Sequence, residues 1–250
     1  MKFDGIEGKR VLITGSSRGI GAETAAAFAE AGAVVGLHCR NRKNGAETVM
    51  KRIQSTGATV DLFQGDLLDV ENVSQLIEAF VERFGGIDVL VNNAGSPIHT
   101  RHALDVGLKT FDDALRLNTL SPFFIAQKAI SQMKGQGTGG RVINVSSIGV
   151  KYAGSETTLH YTAAKAALET ITRSLAKIVA PYNILVNAVR PGVTDTDAVD
   201  HYVSNREDRV DLIPLKRMAN PGEISNMILF LASNAGGFIT GQIIAVTGGD

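Results

Sequence analysis

Tyr161 and Lys165 are four residues apart at the start of a predicted helix, so both side chains fall on one helix face. A phenol ordinarily titrates at pH ~10 and is a poor acid–base catalyst at neutral pH. A nearby ammonium favours the phenolate and lowers the pKa of the phenol. The pair could therefore give a proton to a carbonyl oxygen as hydride arrives, or take one in the reverse direction. Because this spacing is common and mostly structural, the surrounding motifs decide its meaning.

Two more polar residues could complete such a site. Ser147 follows a predicted strand, where its hydroxyl could bind a substrate oxygen and stabilise developing charge; a cap or turn serine is the alternative. Asn118 lies inside a predicted helix, a position that asparagine disfavours. It could hold a water molecule against Lys165 and complete a proton path, or it could simply face solvent.

A glycine-rich turn, TGSSRGIG at residues 14–21, separates the first predicted strand from the first predicted helix. Glycines there permit a tight turn and let the backbone approach a phosphate, while the amides at the helix start can hold a pyrophosphate. The spacing G-x-x-x-G-x-G differs from the commoner G-x-G-x-x-G, and a plain turn is the alternative. The residues predicted to contact a dinucleotide here are Gly15, Ser17, Arg18, Gly19 and Ile20.

The end of the second predicted strand indicates which dinucleotide would bind. A carboxylate there would bind a ribose 2′-hydroxyl and repel a 2′-phosphate. The segment 37–42 (LHCRNR) has no acid, and its Arg40 and Arg42 are suited to a phosphate, with Asn41 between them. Arg18 could add to the same pocket. The pattern favours NADP(H) over NAD, with solvated surface charge as the alternative.

Three further loops follow predicted strands. Asp66 could accept a hydrogen bond from an adenine amino group while Leu67 packs on the ring, and a helix cap is the alternative role for Asp66. Asparagines of segment 92–95 (NNAG) could tie loops together, and its small residues could lie against a ribose. Segment 191–194 (PGVT) could fix a nicotinamide carboxamide or form a plain turn. The predicted cofactor-binding residues of these loops are Asp66, Leu67, Asn92, Ala94, Gly95, Pro191, Gly192, Val193 and Thr194.

The elements that position these residues alternate along the chain. Strands are predicted at residues 10–14, 34–38, 60–63, 88–91, 142–145, 184–188 and 243–246. Helices are predicted at residues 19–31, 44–55, 70–84, 111–133, 161–179 and 221–232, and Pro122 should kink or restart the fourth. Continuous apolar strands are expected when both faces are covered. We therefore predict one α/β domain over residues 1–250, a doubly wound parallel sheet with helices on both faces and ligands at its carboxyl edge.

Composition excludes several classes of partner. The 250 residues include 25 basic and 25 acidic residues, and without a basic stripe or aromatic platform neither nucleic acid nor a membrane surface is indicated. Cys39 is the single cysteine, so no internal disulfide can form, which fits a reducing compartment. The first eight residues have no apolar signal core, and the apolar runs are too short to span a bilayer. We expect a cytoplasmic protein with no metal site.

Taken together, the motifs resemble those of the short-chain dehydrogenase/reductase family, in the branch similar to 3-oxoacyl-[acyl-carrier-protein] reductases. The matching pieces cover nearly the whole chain: residues 14–21, 92–95, Asn118, Ser147, 161–165 (YTAAK), 191–192, 213–218 (IPLKRM) and 239–242 (ITGQ). The resemblance implies a Rossmann-type fold. It also implies Tyr161 as acid/base, Lys165 on the nicotinamide ribose, Ser147 on the substrate and Asn118 in a water relay. It further implies a homotetramer with interfaces on helices 111–133 and 161–179 and the last strand.

Three departures from the family pattern matter. Ser147 lies 14 residues before Tyr161, where members usually show 13, and Ser146 would be 15 away, so Ser147 is preferred. The extra residue belongs to loop 149–160, which should border the substrate. Thr247 stands where the carrier-protein reductases usually carry Asp, and segment 180–183 (APYN) lacks the basic residue that they tend to show. The last difference weakens any prediction of acyl-carrier docking.

We predict an NADP(H)-dependent oxidoreductase that interconverts a small-molecule carbonyl and a secondary alcohol. Segment 194–214, with His201, Tyr202 and Arg206, is the predicted substrate lid, and its mixture of acids and apolar residues indicates no particular substrate. Further candidates for the pocket wall are His99, Thr100, Tyr152 and His160. The alternative is a non-catalytic NADP-binding redox sensor or regulator, which would need no intact Tyr161 and Lys165 pair.

Overall fold

Strands and helices alternate through residues 3–41, 43–98, 102–197, 199 and 206–250, which are the residues that the computed structural model describes. The strands are β1 (Arg10–Ile13), β2 (Val34–Cys39), β3 (Val60–Gln64), β4 (Val89–Asn92), β5 (Gly140–Val145), β6 (Ile184–Pro191) and β7 (Ile243–Val246). The helices are α1 (Gly19–Glu30), α2 (Lys43–Gln54), α3 (Gln75–Phe84), α4 (Leu108–Leu115), α5 (Ser121–Gln136), α6 (Leu159–Val179), α7 (Arg206–Asp211) and α8 (Pro221–Ala232).

All seven strands pair in parallel in the order β3-β2-β1-β4-β5-β6-β7. The predicted doubly wound parallel sheet is therefore confirmed. Strand order reverses beside β1, because β2 lies on one side of it and β4 on the other. In such sheets the ligand crevice lies outside the carboxyl ends of the strands at this switch point.

Each face of the sheet is covered by its own apolar core. Phe28 of α1 and Ile228 of α8 belong to the first core, on one face, while Phe80 of α3 and Ile125 of α5 belong to the second core, on the other face. Neighbouring residues of β1 alternate between these two cores, as the pleat of a strand requires. Double coverage explains why the strands are apolar on both sides, and each large buried side chain contributes about 1.5–3 kcal/mol.

The predicted helix over residues 111–133 is three segments. A π-helical stretch, Arg116–Leu120, separates α4 from α5. Pro122, in the first turn of α5, has no N–H to donate to the carbonyl of Asn118 four residues earlier. Proline thus restarts the helix as predicted, and the π-helical stretch is the part that periodicity did not indicate.

Helix α3 begins at Gln75, not at residue 70 as predicted. The Asn72 amide donates to the Asp69 carboxylate at 2.9 Å, and the Asn72 backbone N–H donates to the Asp69 carbonyl at 3.1 Å. Such local bonds offer the backbone an alternative to the helix. Strand β6 extends past the predicted residue 188 because its last residues pair with β7 up to Pro191 and Val246.

Gly36 of β2 tests how tightly the second core packs on the sheet. An alanine Cβ at this buried position would lie 2.5 Å from Cε2 of Phe80, which is itself fully buried. We expect Gly36→Ala to lower the free energy of unfolding by about 1–3 kcal/mol in urea titrations, because the core must shift to admit the methyl group.

The matched control is Gly135→Ala, an exposed glycine in α5 whose added Cβ would meet nothing within 4 Å. Because alanine has a higher helix propensity than glycine, this variant should be as stable as the parent or more stable by up to about 1 kcal/mol. Equal destabilisation by the two alanines would contradict the packing argument.

Candidate active site

The loops that follow β1 and β4 are bound together at the switch point. Gly15 has a φ of +65°, and a Cβ there would lie 2.8 Å from Cα of Ala94. The Asn93 amide donates to the carbonyls of Thr14 and Gly15 at 2.9 and 3.0 Å. The hydroxyl of Thr14 accepts from the backbone N–H groups of Asn93 and Ala94, both at 3.0 Å. A residue with a side chain at position 15 would push the two loops apart.

The start of α1 is open to an anion. Arg18 is its N-cap residue and its side chain makes no capping hydrogen bond, and the first turn carries no acid. The first amides of a helix need an acceptor from outside the helix, which a pyrophosphate can provide. Ser17 and Ile20 are half-buried beside this turn, and a Cβ on Gly19 would lie 3.2 Å from Cγ2 of Thr196. These residues fit a dinucleotide phosphate.

His38 is a site residue that the sequence interpretation missed. Its Nδ1 accepts from the Gly15 N–H at 3.2 Å, so its Nε2 carries the proton and donates to the Gly65 carbonyl at 3.1 Å. Its backbone N–H donates to Ser16 Oγ at 2.9 Å. Burial lowers the pKa of His38 to about 4. The signal in the sequence was a histidine in an otherwise apolar strand.

Of the residues predicted to bind a 2′-phosphate, the structure describes Arg18, Arg40 and Asn41. Arg40 and Asn41 are exposed after the end of β2, at the carboxyl edge of the sheet. The Arg18 guanidinium is about one-third exposed and lies 4.0 Å from the Asp197 carboxylate. Arg42 lies outside the described residues, as do His99, Thr100, His201 and Tyr202, and the side chain of Arg206 does so too.

Two predicted adenine-side residues make bonds within the protein. Asp66 Oδ1 accepts from the Leu68 N–H at 3.0 Å, which stabilises a turn; the alternative role as a helix cap is wrong, since the next helix begins only at Gln75. Leu67 is only 5% exposed and belongs to the second core, and its carbonyl accepts from the hydroxyl of Ser121. Leu67 therefore presents little side-chain surface on which an adenine ring could pack.

Asn92 is also engaged inside the protein. Its amide donates to the Pro122 carbonyl at 3.0 Å and to Asn144 Oδ1 at 2.9 Å, and the residue is 2% exposed. The side chain thus ties β4 to β5 and α5. Of the two asparagines in segment 92–95, only Asn93 binds the glycine-rich turn.

The side chains of Lys165 and Asn118 both lie against Gly95. A Cβ on Gly95 would lie 2.8 Å from Asn118 Oδ1 and 2.9 Å from Lys165 Nζ, although Gly95 itself is exposed. Lys165 is 2% exposed, and its Nζ donates to the Val145 carbonyl at 2.7 Å and lies 5.8 Å from the centroid of the Tyr161 ring. Burial lowers the pKa of Lys165 to about 8. A buried cation therefore adjoins the phenol, and glycine leaves the space above it open.

The side chain of Asn118 does not face solvent. It is fully buried; its Nδ2 donates to the carbonyls of Ser96 and Ala114 at 2.9 and 3.0 Å, and its Oδ1 accepts from the Ser96 N–H at 3.2 Å. The side chain thus fixes the loop after β4. The carbonyl of Asn118, which Pro122 cannot bond, is the group that could hold a water molecule.

The two serines after β5 have different tasks. Ser146 is 3% exposed and its hydroxyl donates to Glu169 Oε1 at 2.7 Å. Ser147 is half-buried, and its Oγ accepts from the Gly149 N–H at 3.1 Å as the cap of a short 3₁₀ helix. That bond leaves the Ser147 hydroxyl hydrogen free to donate to a substrate oxygen. The Ser146 hydroxyl, by contrast, already donates its hydrogen to Glu169, and the choice of Ser147 stays a prediction.

Segment 191–194 closes the carboxyl end of β6. The Gly192 N–H donates to the Val246 carbonyl at 2.9 Å, and the Thr194 hydroxyl donates to the Gly192 carbonyl at 3.1 Å. Val193 is 9% exposed and packs in a small third core. The segment is a bonded turn, and Pro191, Gly192 and Thr194 lie at the same sheet edge as the other site residues.

Comparison with known proteins identifies the family. A family model described as "Enoyl-(Acyl carrier protein) reductase" matches residues 15–250. The chain belongs to the short-chain dehydrogenase/reductase family. It is similar to versicolorin reductase stcU of Emericella nidulans, with 36% identity over 98% of this chain and 96% of the relative. It is equally similar, at 36% identity over 98% of both chains, to the 3-oxoacyl-[acyl-carrier-protein] reductase FabG of Thermotoga maritima.

A solved structure supports the same assignment. The short-chain dehydrogenase of Burkholderia cenocepacia J2315, crystallised in complex with NADP, superposes with a TM-score of 0.91 and 30% identity over 98% of both chains. The resemblance seen in the sequence motifs is thus confirmed, including the likeness to 3-oxoacyl-[acyl-carrier-protein] reductases. Among the described helices of this short-chain dehydrogenase/reductase, none has the length and apolar character needed to cross a membrane.

Two candidate residues of the pocket wall make other contacts. The Tyr152 hydroxyl donates to Asp250 Oδ1 at 2.8 Å, and the Arg209 guanidinium of α7 contacts the same carboxylate. His160 is fully buried, and its Nε2 bonds to the Pro97 carbonyl at 2.8 Å. Tyr152 therefore links loop 149–160 to α7, while His160 offers no surface to a ligand.

The lowered pKa of His38 predicts a pH dependence of stability. Between pH ~6.5 and ~4 the unfolded chain binds a proton that the folded protein excludes, so folding stability falls as pH falls through this window. Over the whole window the loss is about 3 kcal/mol, since each pKa unit corresponds to about 1.4 kcal/mol.

The measurement is denaturant unfolding of the parent and His38→Asn at pH 7 and pH 4.5. The variant should be less stable than the parent at pH 7, and the difference should shrink at pH 4.5, because only the parent loses the His38 contribution. A difference that stays constant with pH would contradict a neutral, proton-excluding His38.

Proposed function

We propose that this protein is an NADP(H)-dependent oxidoreductase that transfers a hydride between nicotinamide and a carbonyl or secondary alcohol, with Tyr161 as acid/base. The observation that supports it most is that the side chains of Lys165 and Asn118 both lie against exposed Gly95, with Tyr161 one helical turn before Lys165. Relatives with the same family membership are named as reductases of differing substrates.

The cofactor supplies or accepts the hydride when it is bound. The amides at the start of α1 would hold its pyrophosphate, and Arg18, Arg40 and Asn41 would hold the 2′-phosphate. Ala94 and Gly95 would border a ribose, and segment 191–194 would contact the carboxamide. Three features support NADP over NAD: no acid follows β2, Arg40 is exposed there, and one similar structure contains NADP.

The protein groups divide the chemistry between them. Tyr161 gives a proton to the carbonyl oxygen in reduction and takes it back in oxidation. The Lys165 ammonium, which is buried and lies 5.8 Å from the centroid of the Tyr161 ring, favours the phenolate form of Tyr161. The Ser147 hydroxyl donates to the substrate oxygen and stabilises the charge that develops on it. A water molecule held by the Asn118 carbonyl would connect Lys165 to solvent.

The remaining features concern the substrate and the assembly. We propose that segment 194–214 covers the substrate and that the protein acts in the cytoplasm as a homotetramer. Exposed Leu120 directly before α5, exposed Phe124 in the first turn of α5 and exposed Ile178 near the end of α6 support helix-mediated assembly.

Tyr161→Phe tests the acid/base assignment. Ketones, 3-oxoacyl thioesters and sugars are screened with NADPH, and the variant is compared with the parent on its best substrate. We expect kcat to fall by about 10²–10⁴-fold, as for loss of a general acid. Cofactor affinity, followed by nicotinamide fluorescence, should change little.

The control is Tyr182→Phe, the same chemical change at a half-exposed tyrosine in the 3₁₀ helix Ala180–Tyr182. It should keep parental activity. Full activity of Tyr161→Phe would overturn the assignment of roles.

Arg40→Ala tests the cofactor preference. Loss of a charged hydrogen bond to phosphate costs about 1.5–3 kcal/mol, so the KM for NADPH should rise about tenfold or more. The KM for NADH should stay nearly constant, because NADH has no 2′-phosphate.

Arg52→Ala is the control, since this arginine of α2 pairs with Glu23 at 2.7 Å on the surface. It should change neither KM. Equal increases for both cofactors in Arg40→Ala would refute a contact between Arg40 and the 2′-phosphate.

A further inference from the structure

A buried carboxylate joins three segments of the active site. Glu169 of α6 is 2% exposed. It accepts from Ser146 Oγ at 2.7 Å, from Arg190 Nε at 3.0 Å and from Arg190 Nη2 at 2.7 Å. These three residues are called the Glu169 clamp below. Its members come from α6, the end of β5 and the end of β6.

Each end of the clamp precedes a site segment by one residue. Ser146 is followed by Ser147, whose hydroxyl is proposed to bind the substrate oxygen. Arg190 is followed by segment 191–194, proposed to contact the nicotinamide. The Ser146 N–H also donates to the Val189 carbonyl at 2.8 Å, so the two strand ends are bonded to each other as well as to Glu169.

Helix α6 holds the last residue of β5 and the residue that follows it through side chains one turn apart. Lys165 Nζ donates to the Val145 carbonyl at 2.7 Å, and Glu169 accepts from Ser146. Tyr161, Lys165 and Glu169 follow each other at intervals of four on one helix face. The helix that carries Tyr161 therefore fixes the backbone that leads into Ser147.

Burial of this carboxylate is costly, and core stability alone does not require it. A buried ion pair is often replaced by apolar residues of similar volume without loss of stability. The bidentate arginine and the serine satisfy the Glu169 oxygens, and the three partners lie where the site segments begin. This position favours a geometric role over a purely stabilising one.

We propose that Glu169 is a positioning residue that sets the distance and orientation of Ser147 and of segment 191–194 relative to Tyr161. The proposal rests on the proposed oxidoreductase function. Glu169 itself contacts neither substrate nor cofactor. Its hydrogen bond to Ser146, the Ser146 branch, positions Ser147 on the substrate side of the site. Its ion pair with Arg190, the Arg190 branch, positions segment 191–194 on the nicotinamide side.

The test uses Ser146→Ala, which removes the substrate-side branch alone, and Glu169→Gln, which keeps the shape but removes the charge. The control is Thr172→Val. Thr172 lies on the same helix, and its hydroxyl oxygen accepts from the Asn144 side chain of β5 at 2.8 Å. The valine substitution therefore removes a comparable buried hydrogen bond that does not involve Ser146 or Ser147. The folded fraction of each variant is determined by urea unfolding, and the activities are compared per folded molecule.

In Ser146→Ala we expect kcat/KM for the carbonyl substrate to fall at least about tenfold, because small misplacements of reacting groups cost up to about 10²-fold. The KM for NADPH should change less than about twofold, since the Arg190 branch is intact, whereas Glu169→Gln should also raise the KM for NADPH. Thr172→Val should keep parental kinetics. A fall in kcat/KM no larger in Ser146→Ala and Glu169→Gln than in Thr172→Val would overturn the proposal.

A second measurement does not depend on turnover. The Val150 N–H donates to the Ser147 carbonyl at 3.1 Å, and the Gly149 N–H donates to Ser147 Oγ. Hydrogen exchange of these two amides should become faster in Ser146→Ala and Glu169→Gln and stay parental in Thr172→Val. Unchanged exchange in the first two variants would refute the positioning role. A parent inactive on every substrate would instead refute the proposed function, while the exchange result still decides the role of Glu169.

Discussion

Parallel pairing of all seven strands is the constraint on which the site depends. Because every strand runs in the same direction, every strand ends at the same edge, and the chain leaves the sheet there before each crossover. Residues as distant in sequence as Gly15 and Thr194 are brought to one crevice by this rule alone. Local chemistry then needs only the right residue directly after each strand, which is where the loops of this protein carry their polar groups.

Within that crevice, the decisive energetic feature is the buried ammonium of Lys165. Removing this group from water lowers its pKa to about 8, so burial disfavours the charge that the proposed chemistry requires. The Val145 carbonyl offsets part of that cost with a short hydrogen bond. The same buried surroundings strengthen the effect of the cation on a neighbouring phenol, because electrostatic interactions become stronger as the local dielectric constant falls. A solvated lysine would cost less and do less for Tyr161.

The fold could be predicted from sequence because its signals are local. Apolar strand runs, helical periods and the alternation of the two fix a doubly wound sheet without knowledge of any distant contact. The partners of polar side chains are a different matter. His38 received no role from the sequence because its partners, Gly15 and Gly65, are brought to it only by the pairing of β2 with β1 and β3. Leu67 was expected to lie against a ligand, yet it packs in the core.

Asn118 explains why the π-helical stretch between α4 and α5 coincides with the proposed chemistry. Pro122 removes a helical donor, and the chain responds with a π-helical stretch that ends just before α5. The Asn118 amide replaces backbone donors by bonding the carbonyls of Ala114 and Ser96, so the irregular turn keeps its buried polar groups satisfied. A regular helix at this point would need no such side chain, and its backbone carbonyl would be occupied. The proline that interrupts the helix therefore also removes the donor that a regular helix would aim at the Asn118 carbonyl.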